Sequence, residues 1–288
     1  ISGEQALIVW DEARQTEHFV RTASFEGAPA DFGFLVPSPS EPELAEVDNR
    51  VFDALFNIYR RPEPRSRSRS RSRGRSAATM SAPQGVQVVR QQVVAGLDAT
   101  VLQASDPAAL DGWLRGNGYP SGPELRGWLE RYVVKGWFVT AFKIRPGNRA
   151  QVATRAVRMS FHTELPFYPY AEPAPANGGS TAARPLRISF VAAWKAKANV
   201  GSTPWDTVGY AARGRGPLST ALRGAVPRQA VPHGAWLTVF DEPRSIRPNQ
   251  DLYFYQDTNA RPVTSRISSR VTATGARRPS GEVLNPWR

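Results

Sequence analysis

The chain has no cysteine among its 288 residues, which excludes disulfides, thiol nucleophiles and thiolate metal ligands from it. Histidine is nearly as scarce. The three present, His18, His162 and His233, lie too far apart for the H-E-x-x-H spacing that sets two imidazoles on one helix face around zinc. No uninterrupted apolar run approaches the roughly 18 to 20 residues of a membrane helix. The best, Tyr132 to Ile144, is broken by Lys135, Gly136 and Lys143. Methionine occurs twice, at Met80 and Met159, and the chain opens on Ile1. A native start upstream of Ile1 is therefore expected, with a leader or propeptide removed.

What is present suffices for a folded core. Hydrophobic residues make up 41%, with eight tryptophans, and the length suits one or two domains. The net charge of +12 invites a nucleic-acid reading, but its distribution argues otherwise. Eight of the 37 basic residues fall between Arg60 and Arg75 beside a single acid, Glu63. Without that run the surface is mildly basic and ordinary. Only four of the basic residues are lysine, and the arginine preference together with abundant Ala, Pro and Gly points to a GC-rich genome.

Three stretches read as surface excursions. Pro62 to Pro83 repels itself and has nothing apolar to pack. Glu172 to Pro185 is rich in Pro, Gly and Ala, and Gly209 to His233 alternates Arg, Gly and Pro. Between them period-2 patterns dominate. Ala6 to Trp10 and Gln15 to Phe25 predict a hairpin across residues 11 to 15, and Phe32 to Val36 a strand closed by Pro37 and Pro39. Ser40 to Glu43 has the spacing of a capping box. Leu44, Val47, Val51, Leu55 and Ile58 then predict one helix through about Tyr59. Val86 to Ala104 predicts a second hairpin turning at Gly96. Two short helices follow, led by Pro107 and Pro123 and stopped at Gly118 and Gly136. Trp137 to Ile144, Arg155 to Thr163, Leu186 to Trp194, Ala235 to Phe240, Leu252 to Gln256 and Arg266 to Thr274 complete the strands. The fold class expected is α+β, predominantly antiparallel β with a few short helices. Residues 1–195 are expected as one β-rich domain with an Arg/Ser insertion at 62–83. Residues 196–288 are expected as a β-rich extension packed on it, with a loop at 209–233.

Several unusual blocks occur in order. They are QALIVWDEARQTEHFVRTASFEGAPADFGFLVPSPS at 5–40, LDATVLQASDPAALDGWLRGNGY at 97–119, LRGWLERYVVKGWFVTAFKI at 125–144 and RAVRMSFHTELPFYPY at 155–170. Together they resemble a bacterial family, the domain of unknown function numbered 2330, over roughly residues 5 to 195. The resemblance implies a β-rich protein made with a signal peptide, hence exported to the periplasm, cell envelope or extracellular space. It supplies no catalytic residues to carry over, and the Arg/Ser run is not a feature of the family.

Candidate chemistry is sparse. No G-x-S-x-G elbow places a serine nucleophile. Asp31-Phe32-Gly33 lacks the companion motifs of a kinase, and residues 209–220 lack the G-K-[ST] ending of a phosphate loop. His18 beside Glu17, or His162 near Glu164, could join carboxylates in a cleft after folding. The pairs Asp11/Glu12 and Asp241/Glu242 sit at strand ends, where solvated acids are expected. No catalytic, metal or cofactor-binding residue is assigned, and no cofactor is expected. Arg65, Arg67, Arg69, Arg71, Arg73 and Arg75 could contact a polyanion or an acidic partner through salt-sensitive attraction. Phe161, Phe167, Tyr168 and Tyr170, around Pro166 and Pro169, could form an aromatic binding ledge.

The expectation is therefore a non-enzymatic, exported structural or accessory protein acting through protein contacts, without nucleic acid and without a membrane span in this chain. An enzyme built on His18 or His162, and polyanion binding through the Arg/Ser run, are the alternatives.

Overall fold

The structure, a computed structural model, describes residues 4–23, 33–60, 86–119, 121–144, 155–173, 184–214, 216–245 and 249–271. The strand β1 (Glu4–Asp11) explains the organisation. Its run Ala6 to Trp10 is apolar at every position because both faces are covered. Ala6, Ile8 and Trp10 enter one core cluster, while Leu7 and Val9 enter another on the opposite face. Alternation disappears when both sides of a strand are buried.

A 3₁₀ turn at Glu12–Arg14, capped by the Asp11 carboxylate and closed by Gln15 in the left-handed region (φ 46°), returns the chain into β2 (Thr16–Ala23). The expected hairpin is there, with Ile8 opposite Phe19. Next come β3 (Gly33–Ser38), β4 (Glu43–Asp48) and helix α1 (Arg50–Tyr59). The single helix expected from Ser40 is corrected here to a strand followed by a shorter helix. Ser40 does not cap a helix. Its hydroxyl donates to the His162 carbonyl at 3.0 Å and accepts from the His162 N–H at 2.8 Å. Leu44 and Val47 face opposite sides of β4, so an apparent helical spacing arose from a strand buried on both sides. Pro37 lies inside β3, which an edge strand permits, and β3 is an edge.

Strands β5 (Val86–Val94) and β6 (Leu97–Ala104) form the second hairpin, turning through Ala95 (φ 53°) and Gly96 (φ 79°) as a primed two-residue turn. The Ala95 N–H is held by Glu46 at 3.1 Å, tying this turn to β4. Helices α2 (Pro107–Gly116) and α3 (Pro123–Val133) begin at the expected prolines, and Gly118 and Gly136 follow them in the left-handed region.

The remaining strands are β7 (Phe138–Ile144), β8 (Arg155–His162), β9 (Phe167–Tyr168), β10 (Arg184–Ala192), β11 (Ala196–Val200), β12 (Thr203–Pro204), β13 (Val208–Arg213), β14 (Trp236–Ser245) and β15 (Leu252–Gln256). A further helix, α4 (Gly216–Ala221), and a 3₁₀ turn at Arg228–Ala230 lie within residues 209–233. The expectation of an unstructured excursion there is corrected. Leu218, Leu222, Ala225 and Val226 are buried, because this segment roofs one face of the main sheet. The strand expected from Arg266 to Thr274 does not form over its described part, which contributes Ile267 to the same roof.

Seven strands make the main sheet in the order β13-β14-β10-β1-β2-β8-β4. β1 and β10 pair in parallel, and the other pairings of this sheet are antiparallel. Two four-stranded sheets, β12-β11-β15-β9 and β3-β7-β6-β5, complete the architecture. This is the α+β, mostly antiparallel class expected. Strands from before and after residue 195 share hydrogen-bonded sheets, since β13 and β14 extend the main sheet beyond β10. The largest core lies between the main sheet and the two smaller ones. A second sits on the opposite face under α1 and α4, and a third holds α2 and α3 on the β5–β7 sheet. Among the described residues no helix is long and apolar enough to cross a membrane.

Candidate functional site

Strand register decides which polar groups meet. His18 on β2 stands opposite Ser160 on β8, and Ser160 stands opposite Glu43 on β4. Side chains directly across a ladder share a face, so His18, Ser160 and Glu43 form one row. His18 Nδ1 lies 2.8 Å from Ser160 Oγ. His18 is buried, Ser160 half-buried and Glu43 exposed, so the row opens to solvent at β4.

Arg158, two residues before Ser160 on the same face, borders the pair. One Nη donates to Glu43 and the other to the Ala225 carbonyl, both at 3.4 Å, and its buried Nε has no hydrogen-bond partner. Burial lowers the His18 pKa to about 4, helped by the Arg158 charge and opposed by Asp11 and Glu43. The imidazole is therefore neutral near pH 7. Asp11 is engaged by Arg14, whose N–H and Nη1 donate at 3.3 and 2.8 Å.

His162, opposite Thr16, is exposed at the end of β8 and shares the face of Ser160 two residues away. The register brings both expected histidines to one corner, with Asp11 and Glu43 as the acids. Glu164 is exposed beyond the strand, and His233 is exposed in the turn before β14. Glu12 accepts from Trp194 Nε1 at 3.2 Å, and Asp241 holds the buried Arg187 at 2.7 Å. Among the described residues no group of three or more His, Asp or Glu could hold a metal ion.

Glu17 points the other way, into the main core. It stands opposite Phe161 and Trp10 and is fully buried. Its Oε2 accepts the Phe167 N–H at 2.8 Å, whereas Oε1 has no hydrogen-bond partner. Burial raises its pKa well above the ordinary value, the Phe167 N–H opposing only in part.

The proposed aromatic ledge is corrected by burial. Phe161, Phe167, Tyr168 and Tyr170 are each no more than 3% exposed and belong to the main core. Their ring contacts nevertheless lead outward. Phe167 touches Phe161 (5.8 Å between centroids), Trp137 (5.2 Å) and Tyr253 (6.1 Å), and Trp137 and Tyr253 are half-buried. Lys135 Nζ sits 5.1 Å from the Trp137 ring centroid. Val134 (71%) and Leu165 (44%) are the exposed large hydrophobic residues among those described, and each lies within three residues of this ring chain. Arg65 to Arg75 and the rest of the Arg/Ser run lie outside the described residues.

Beneath this surface, Tyr132 of α3 hydrogen-bonds both oxygens of the buried Asp251 at 3.1 and 3.0 Å. The Ala171 N–H donates to the same carboxylate at 3.1 Å. Burial raises the pKa of both groups, and for Tyr132 the Asp251 charge adds to it.

Sequence reasoning missed Ser160, Arg158, Trp137 and Tyr253. Strands were expected around all four, but which strands pair is invisible in a single sequence.

The model of a family described as "Uncharacterized protein conserved in bacteria (DUF2330)" matches residues 1–193. No curated protein matches the chain. Among solved structures, a mutated baculovirus P35 after caspase cleavage is similar at 9% identity and a TM-score of 0.39, over 88% of this chain and 93% of that one. At that score the likeness carries no argument about fold or function.

Proposed function

Because the chain belongs to DUF2330, a family of uncharacterised proteins conserved in bacteria, we propose that it is an exported accessory protein. In this reading it acts through protein contacts in the envelope or outside the cell. The observation that carries this is the outward end of the aromatic chain. Trp137 and Tyr253 rest on fully buried Phe167, with Leu165 two residues before Phe167 and Val134 three before Trp137 both exposed. Apolar side chains held rigidly at a surface are what protein interfaces use as anchors. Asp11, one of the acids at the histidine corner, is engaged by Arg14, and the buried Asp251 is bonded by Tyr132. The Arg/Ser run would add salt-sensitive attraction to acidic surfaces.

The test is affinity purification of the native protein from its source at low and at moderate salt, beside a Leu165→Asp, Val134→Asp variant. A stoichiometric partner that survives moderate salt and is lost in the variant is expected. A protein that arrives alone, or with salt-labile polyanions only, refutes the reading. Fractionation of the same cells tests export, with recovery in the cytoplasm counting against it. The 2.8 Å contact between His18 and Ser160 favours a second reading, an enzyme.

A further inference from the structure

We infer that Ser160 is a nucleophile for activated acyl esters, with His18 as its general base and Arg158 as the cation that meets the developing oxyanion. The inference goes beyond a contact role and deepens the enzyme reading. It stands on three observations. First, nucleophile and base are already in hydrogen-bond contact, Oγ to Nδ1 at 2.8 Å, within the reach that proton transfer needs. Second, Ser160 is half-buried and the row it shares with Glu43 reaches solvent, so a small acyl group can approach. Third, Arg158 lies on the same face two residues away, and the bonds of its two Nη groups to Ala225 and Glu43 are long at 3.4 Å. A guanidinium held that loosely can turn an Nη–H toward an oxygen that gains charge.

The step balances. As Ser160 Oγ bonds to the carbonyl carbon, its proton passes to His18 Nδ1 and the C=O electron pair moves onto oxygen beside Arg158. Collapse restores the carbonyl and breaks the bond to the leaving alkoxide, which takes the proton back from His18. Acyl-Ser160 remains, and water activated by the same imidazole releases it as a carboxylic acid. The charged groups whose fields reach the imidazole are Arg158 on β8, Glu43 on β4, Asp11 on β1 and Arg14 in the following turn. Neutral His18 near pH 7 is the form that accepts a proton, although a low basicity limits how strongly it pulls.

The full chain is incubated with p-nitrophenyl acetate and, separately, with a fluorophosphonate. Nitrophenol release, intact mass and the modified peptide are read. One adduct per chain on Ser160 is expected, abolished in Ser160→Ala and slowed about 100-fold or more in His18→Gln. Removing His18 from a buried position can cost folding, so a second variant keeps the inference testable. The chain has no cysteine, and Ser160→Cys therefore introduces a single thiol whose alkylation rate can be followed against pH. Beside the Arg158 guanidinium its apparent pKa should fall below the usual value of about 8.5. Absence of an adduct, adducts that persist in Ser160→Ala, or an ordinary or raised thiol pKa would overturn the assignment. None of these outcomes bears on the partner surface at Trp137 and Leu165, so the two readings fail separately.

Discussion

Replacing Glu17 by Gln should make the protein more resistant to unfolding as pH rises, relative to the parent chain. Glu17 is fully buried opposite Phe161 and Trp10, with one oxygen bound to the Phe167 N–H and the other unpartnered. An ionised carboxylate there would meet a desolvation penalty of several kcal/mol, so the folded chain holds the acid neutral. The unfolded chain releases that proton above the ordinary pKa of 4.5. A raised folded-state pKa means its contribution is complete below about pH 4.5 and declines as pH climbs toward the folded value. While pH stays below that value, the loss is about 1.4 kcal/mol per pH unit. Glutamine keeps the acceptor for Phe167 and cannot ionise, and the other titrating groups are common to both chains. The difference between the two therefore isolates Glu17. Between pH 5 and pH 6 the variant should gain about 1.4 kcal/mol on the parent, or roughly 3 to 6 °C in melting temperature. Paired thermal melts by circular dichroism at the two pH values measure it. A difference that is flat with pH, or that shrinks as pH rises, would show that Glu17 is ionised and paired, and the argument would fail.

Other outcomes follow from the same contacts. His18 should titrate near pH 4 by NMR of its imidazole. Its lowered pKa makes its contribution complete above about 6.5 and lost as pH falls toward 4, so His18→Gln should flatten that acid limb. Ser40→Ala removes both hydrogen bonds to His162 and should cost about 1 to 3 kcal/mol in urea unfolding, whereas loss of a mere surface serine would cost almost nothing. Tyr132→Phe removes the hydroxyl bonds to the buried Asp251, which keeps the Ala171 N–H, and should destabilise by about 1 to 3 kcal/mol; a neutral effect would refute the pairing. Deleting 62–83 and rejoining the ends with a short linker should leave cooperative melting unchanged, and a broad transition would show that the Arg/Ser run is part of the fold.

Much of the local structure was legible because its signals are local. The first hairpin follows from two apolar runs around a polar turn, and the second from Val-rich runs around Gly96. The helices at Pro107 and Pro123 are bounded by residues whose backbone preferences act within one turn. Ser40 shows where such reasoning stops. Its spacing to Glu43 fits a helix cap, yet the hydroxyl is taken by His162, 122 positions away. The competing contact is tertiary and leaves no trace in the spacing. Phe161, Phe167, Tyr168 and Tyr170 were identifiable as an aromatic group, but a cluster with that composition can line a surface or fill a core.

The sequence by itself determined that this is a cysteine-free, strand-dominated chain whose opening blocks mark its family, because periodicity and motif order are properties of the chain. Only the tertiary structure decided that His18 meets Ser160 rather than a carboxylate, and that Glu17 is sealed beside Phe161. It also decided that the aromatic chain surfaces at Trp137 and Tyr253. Each of these depends on which distant strands pair and in what register. A shift of one residue would turn every side chain to the opposite face.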